Sequence, residues 1–470
     1  MLEFFINIDR NSIQPLFEQV YKEIRNRILT GDLQNGQKLP SVRKMAIDLG
    51  VGKNTILHAY ELLLAEGLIS SKPQSGYIID FQDEMMLIES NHQQMTTFQS
   101  EGDKAEIIDF FYGNIESEDL PYSDWKQSFQ KTLDQNEKTL LSLSNAFGEA
   151  PLREQIKNYV ETSRGVTCDV DEIIIGGGIQ QILFFLASIF KLDGIERVAV
   201  EEPTYNKARH IFGTLFQAPS LILSEEIDWQ GLHSYKPQAI YVHTSHRGTE
   251  TVFMSLENRL DLLNWAKETD SYIIEDDFES EFRNLNEIIP SIKTFDEGRD
   301  YVIYMGTLSS TLIPFAKISY MVFPKRLMQT MYQYKGLYEQ PVSKLMQLTT
   351  AEFMKAGFFG NQLRRMRKKN ALKLEAFKCC FEEYFQDRVH IFSKDAGIHL
   401  LAEIKVAKTE EQLVAEAARV KVKVYPTKGF WKNPAHRYPV LQFGFSGVSI
   451  EKMREAVQKL ASIWLDEKNS

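Results

Sequence analysis

Two apolar runs constrain this chain more than anything else in it. Tyr272-Ile273-Ile274 leads into Glu275, Asp276 and Asp277, while Val302-Ile303-Tyr304-Met305 leads into Gly306 and the hydroxyl residues Thr307, Ser309, Ser310 and Thr311. Short apolar runs bounded by turn residues read as strands buried on both faces, and a further run begins at Ile318. Carboxylates at one strand end, beside hydroxyls and a glycine at another, are what an open α/β sheet uses to hold a phosphorylated ligand beyond its strands.

The same strand-to-helix step recurs upstream. Ile173-Ile174-Ile175 is a strand, Gly176-Gly177-Gly178 a turn, and 180–190 a helix whose N-terminus can receive a phosphate. The segment RVAVEEPTYNKARHIF repeats the pattern. Strands alternating with helices argue a mostly parallel sheet covered by helices on both faces. The long helical stretch over 325–384 and the closing FGFSGVSIEKMREAVQKLASIW, a strand, a turn and an amphipathic helix, fit a smaller domain packed beside it.

Residues 10–80 read as a separate unit. Leu16, Val20, Ile24 and Ile28 step at i+4 along one helix face, and Pro40-Ser41 caps a short helix carrying Val42, Met45, Ala46 and Leu49. After Gly50-Val51-Gly52 a third helix begins at Lys53, and Leu68-Ile69 with Tyr77-Ile78-Ile79 make a two-stranded wing. Helix, glycine turn, helix and hairpin form a winged helix-turn-helix. Between Val20 and Tyr60 seven cations (Lys22, Arg25, Arg27, Lys38, Arg43, Lys44, Lys53) face three acids (Glu23, Asp32, Asp48). That local surplus matters because the whole chain carries a net charge of -10, so a nucleic-acid surface must be local. Residues 81–107 lose periodicity and read as a polar, acidic linker, and 108–470 form the body.

At 470 residues the chain exceeds a single core. Three cysteines, two of them adjacent at Cys379-Cys380, form no metal-ligand spacing and fit a reduced, cytoplasmic setting. The N-terminus lacks the basic region of a signal peptide, and the longest apolar run, over 182–190, is far short of a membrane span. His243 and His246 suggest half of a metal site, but no third ligand is placed, and no metal is expected.

The head, PLFEQVYKEIRNRILTGDLQNGQKLPSVRKMAIDLGVGKNTILHAYELLLAEGLI, resembles the GntR DNA-binding module along its whole length. The resemblance implies operator DNA as partner and Arg43, Lys53, Asn54, Thr55, Tyr60, Ser75 and Gly76 as the contacting residues. From Asp109 onward the chain resembles the fold-type-I aminotransferase body of the MocR/GabR regulators. This implies a multidomain protein, an all-α-rich winged helix-turn-helix followed by an α/β aminotransferase-like domain, and a homodimer. It also implies pyridoxal phosphate as cofactor and a crevice built from Gly178, Gln180, Tyr205, Lys207, His246, Asp276, Phe278, Thr307, Ser309, Ser310 and Lys317. Asp276 matches the partner of the pyridinium nitrogen. The family's G-T-F-S-K-x-L-x-P-x-L-R-x-x-Y corresponds to GTLSSTLIPFAKISY, which places Ser310 at the Schiff-base lysine and Lys317 at a phosphate-binding arginine. Phe278 replaces a tyrosine, Lys207 stands at a substrate arginine, and a second such arginine falls at Gly447.

A hydroxyl cannot form an imine, and serine is a poor base near neutral pH, so the lysine chemistry of a transaminase is not expected. Three functions stay open. The chain is a regulator that senses an amino-acid-like or vitamin-B6-like effector without covalent pyridoxal phosphate; or it binds pyridoxal phosphate noncovalently or through another lysine; or it is a working aminotransferase with a DNA-binding appendage.

Overall fold

The computed structural model describes residues 8, 10, 14–29, 32–72, 76–80, 107–217, 220–222, 227–244, 254–282, 290–308, 314–392, 397–431 and 437–465. The chain divides into two compact units, Met1–Asp103 and Lys104–Ser470.

In the first unit the i+4 stripe folds as read. Helix Leu16–Leu29 buries Val20, Ile24 and Ile28 against Met45 and Ala46 of helix Val42–Asp48 and Ile56, Ala59, Tyr60 and Leu63 of helix Lys53–Ala65. The Ser41 hydroxyl caps the second helix by accepting the Lys44 N–H at 3.3 Å, and Gly50, at φ 60°, makes the turn into the third. Strands Ile69–Lys72 and Gly76–Ile79 pair antiparallel with Ile69 opposite Ile79.

The second unit is organised on a seven-stranded sheet. Its order is Ile173–Gly176, Ser319–Val322, Val302–Thr307, Tyr272–Asp276, Ala239–His243, Val198–Glu202, Ser220–Ile222. Only Ser319–Val322 runs against its neighbours. Ile173–Gly176, Val198–Glu202 and Tyr272–Asp276 are buried at every position, which is why they read as continuous apolar runs rather than alternating ones. The parallel strands end together, so Gly176, Glu202, His243, Asp276 and Thr307 arrive at one edge of the sheet. The crossover helix Ile179–Leu192 packs Leu183, Leu186 and Phe190 onto the sheet.

A smaller sheet, Val389–Ile391, His399–Ile404, Val440–Gly444, Tyr425–Pro426, carries its own core of Phe377, Phe381, Phe385, Phe443 and Trp464. The stretch 325–384 is not one small-domain element. It breaks into helices Lys325–Gln333, Lys344–Lys355 and Phe358–Phe385; the first ends at Tyr334, Pro341 lies in the connection to the second, and Gly357 turns at φ 80° ahead of the third. Leu327 and Met331 join the core of the large sheet, and only the second half of the last helix enters the small one. No helix among the described residues is long and apolar enough to cross a membrane.

Candidate functional site

On the head, Arg43, Lys53 and Asn54 are exposed and Thr55 is half-buried. The third helix starts after Gly52 with no side-chain cap, so its first N–H groups point outward beside Lys53 and Asn54. Gly76, at φ 83°, opens the second wing strand and is exposed. Ser75 lies outside the described residues. Tyr60 requires a correction. It is fully buried, its hydroxyl donates to the Pro40 carbonyl at 2.9 Å, and its ring meets Tyr77 edge-on at 4.8 Å. Burial pushes its phenol pKa up. An enclosed side chain cannot touch a base or a phosphate, so Tyr60 fixes the turn ahead of the helix instead.

In the body, eight of the residues expected in the crevice line one cavity of about 640 Å³: Gly178, Gln180, Tyr205, Lys207, Asp276, Phe278, Thr307 and Lys317. His246, Ser309 and Ser310 lie outside the described residues. Gly178, at φ 102°, precedes helix Ile179–Leu192, whose N-terminus has no side-chain cap. Lys207 approaches this end, its amine 3.3 Å from Gln180 Oε1. Its amine thus lies at the end of the cavity where that helix begins. The Thr307 hydroxyl donates to the Ile318 carbonyl at 3.2 Å and accepts from Ser319 at the same distance. Lys317 sits in the left-handed region at φ 51°, a conformation non-glycine residues seldom adopt.

The floor is Asp276, 2% exposed. Burial raises its carboxyl pKa, and His243 and Tyr241 pull it back. The Tyr241 hydroxyl donates to Oδ2 in a short bond, and His243 Nε2 stands 3.6 Å from the same oxygen. Among the described residues Oδ1 has no hydrogen-bond partner.

Behind the floor, Arg164 grips Asp277 with Nε to Oδ2 at 2.6 Å and Nη2 to Oδ1 at 3.0 Å, and the Tyr304 hydroxyl donates to Oδ2 at 2.6 Å. Nearby Glu281 accepts from Tyr159 at 3.2 Å, and burial pushes its pKa up to about 7 from 4.5. A carboxyl whose pKa is raised by folding favours the folded state while protonated, so that stability is lost as pH climbs from 4.5 through about 7. Glu281→Gln is therefore expected to stabilise the body by about 1–3 kcal/mol at pH 8 and to flatten this decline. Urea titrations at several pH values check it; an unchanged slope would refute the burial argument.

Several lining residues were not legible in sequence: Tyr112, Thr204, His243, His399, Phe430 and Gln442. His243 is held by Glu201, with Nδ1 to Oε1 at 2.6 Å, and no three His, Cys, Asp or Glu side chains gather as a metal site among the described residues. Its position at the end of an apolar strand was the available signal; its register with Asp276 comes only from the fold. His399 Nδ1 meets Glu279 Oε1 at 2.9 Å. Phe430 is strapped across the cavity, its carbonyl taking the Thr204 N–H at 3.0 Å and Arg209 Nη2 at 2.6 Å. Gly447 does not reach the cavity. A Cβ there would meet Asn114 Cβ at 2.4 Å, so the site has no room for an arginine, and the side chain that strand Val440–Gly444 delivers is Gln442.

Residues 16–79 match the gntR family of bacterial regulatory proteins, and residues 106–460 match aminotransferase class I and II. The chain is 35% identical over 457 residues to the HTH-type transcriptional regulator YdeL of Bacillus subtilis, covering 96% of this chain and 97% of that protein. It is 29% identical to the probable rhizopine catabolism regulatory protein MocR of Rhizobium meliloti over 97% of this chain and 95% of that one. In fold it is similar to LysN, the alpha-aminoadipate aminotransferase of Thermus thermophilus solved with N-(5'-phosphopyridoxyl)-L-leucine. There the TM-score is 0.66 at 23% identity, over 76% of this chain and 91% of that one. Head, cavity and relatives together place this chain in the aminotransferase class I and II family, among the HTH-type transcriptional regulators that carry a gntR head.

Proposed function

We propose that this protein is a DNA-binding transcriptional regulator whose aminotransferase-like body dimerises and senses a small molecule in the Asp276 cavity without bonding to it covalently. On the head, Arg43, Lys53, Asn54 and Thr55 with the wing at Gly76 contact operator DNA. In the body, the observation that carries the reading is Asp276 Oδ1, a buried carboxylate oxygen with no hydrogen-bond partner among the described residues. Leaving such an acceptor unmade costs about 1–3 kcal/mol, a penalty that a ligand N–H donor would relieve.

The residues present fit pyridoxal phosphate. Asp276 would take its ring nitrogen, and the N–H groups after Gly178, with Thr307, Lys207 and Lys317, its phosphate. When bound, that group supplies a protonated pyridine ring and an aldehyde able to condense with amines. This chain's residues bind and orient it; Ser310, at the aligned lysine, offers no amine for a bond. Arginine to lysine at 317 keeps charge but loses the bidentate fork, which favours weak, exchangeable binding. Apolar surface at Phe184, Leu192 and Leu337, beside the cavity-lining Gln180 and Gln181, supports a second copy as the body's partner.

The test is addition of pyridoxal phosphate, borohydride reduction and peptide mapping. Exposed lysines label slowly everywhere, so the expected result is no pyridoxyl group enriched at Lys207 or Lys317 over other surface lysines. Enrichment at either would show a relocated covalent anchor and end the noncovalent reading. Turnover of an amino acid with a keto acid would support the aminotransferase alternative instead.

A further inference from the structure

Helix Lys53–Ala65 buries Ile56, Ala59, Tyr60 and Leu63 in the core of the head, which turns Lys53, Asn54, Leu57, His58 and Glu61 outward. Four of these five side chains are polar or charged. Leu57 is 38% exposed and takes no part in the head's core among the described residues. A single apolar residue on a surface is ordinary by itself. The neighbours of Leu57 make it informative. It lies about one turn after Lys53 and one turn before Glu61, three residues from Asn54, on the face proposed to meet operator DNA.

The charges around this face suit a duplex, with seven cations against three acids between Val20 and Tyr60. Glu61 limits how far the helix enters, because its carboxylate is repelled by phosphates. The first two turns, which carry Leu57, are therefore the part that meets the bases. His58 turns aside, its ring meeting Phe17 of the first helix edge-on at 5.4 Å. Two other apolar residues exposed on the head are placed less well. Leu62 lies beyond Glu61, and Ile47 belongs to helix Val42–Asp48, the helix of this motif that crosses the DNA backbone.

Base edges in the major groove offer donors, acceptors and one apolar group, the 5-methyl of thymine. A leucine pressed against a donor or acceptor displaces its water and returns no bond, whereas against the methyl both apolar surfaces leave water. Asn54, with an amide for a base edge, lies about 4.5 Å from Leu57 along the helix axis. The step between base pairs is about 3.4 Å, so the two side chains can address neighbouring pairs.

We infer that Leu57 is a sequence-reading residue that packs on the 5-methyl group of a thymine, so that each operator half-site carries a T·A pair beside the pair read by Asn54. The inference deepens the proposed function and rests on its reading of the head as the DNA-binding unit.

Repeated selection of random-sequence duplexes by the full-length protein supplies the operator probe. Each thymine of one half-site is then replaced singly by deoxyuridine, which removes the methyl and leaves every hydrogen-bonding group in place. One position is expected at which this weakens wild-type binding by about 3–10-fold, the scale of one buried methyl. Leu57→Ala should bind the thymine operator more weakly by a similar factor. At that position it should distinguish thymine from deoxyuridine by less than about 2-fold, because the two changes remove the same contact. Leu57→Met, apolar and of similar volume, should retain much of the discrimination. A scan with no methyl-sensitive position overturns the inference and leaves the DNA-binding reading intact. Full methyl sensitivity in Leu57→Ala overturns it too, since another side chain then reads the group. An equal loss on an unrelated duplex, where phosphate contacts supply the affinity, shows general damage and likewise overturns it. Failure of the wild-type protein to bind any duplex overturns the DNA-binding reading and the inference with it.

Discussion

Replacing Arg43 and Lys53 together by alanine is expected to weaken operator binding by about 10–100-fold at physiological salt and to reduce the slope of log affinity against log salt by about 2. Both side chains are exposed on the head, Arg43 on helix Val42–Asp48 and Lys53 at the first position of helix Lys53–Ala65. Neither packs into the core of Val20, Ile24, Tyr60 and Leu63, so the double variant should fold as the wild type does. In a chain of net charge -10, duplex attraction depends on such local cations, and each phosphate neutralised releases about 0.9 of a counterion. Anisotropy titrations of a labelled operator fragment at several salt concentrations measure both quantities. An unchanged salt slope would mean that the DNA surface lies elsewhere on the protein.

Arg164→Ala should have the largest effect on stability, about 3–5 kcal/mol, because it strands a buried charge. The Asp277 side chain is 0% exposed and Arg164 6%, and the pair makes two parallel bonds, with Tyr304 adding a third to the carboxylate. Burial opposes the charged guanidinium, yet Asp277 and its acidic neighbours raise the Arg164 pKa overall, so the cation is present throughout the ordinary pH range. Removing it leaves Asp277 without its counterion directly beside Asp276, and the cavity floor should lose ligand affinity as well. Urea unfolding followed by far-ultraviolet circular dichroism reads the stability change. Arg164→Leu combined with Asp277→Leu, which removes both charges, should recover part of the loss; a double variant as unstable as the single one would show that lost packing dominates.

Local pattern determined a good deal of this protein. The i+4 apolar stripe of the first helix, the glycine turn before Lys53 and the wing pair are short-range features, and they fold as read because few distant residues are needed to satisfy them. The buried strands were legible for a similar reason. A strand covered on both faces must be apolar along its length, and Asp276 and Thr307 stand out at their ends because they break that rule.

Tertiary structure decided the rest, wherever meaning depends on which side chain arrives opposite. Tyr60 looked like a contact on an exposed helix, but its face of that helix turns inward onto Pro40 and Tyr77. Lys207 follows Tyr205 in sequence, yet the helix start carries it to Gln180 across the turn. Gln442 enters the cavity beside Leu401, its partner in register, because strand side chains alternate, whereas position 447 lies beyond the strand against Asn114. The identities of Glu201, His243 and Asp276 were in the sequence throughout. Their partnership exists only because the parallel register sets His243 against Asp276, and the neighbouring strand brings Glu201 to the other side of the ring.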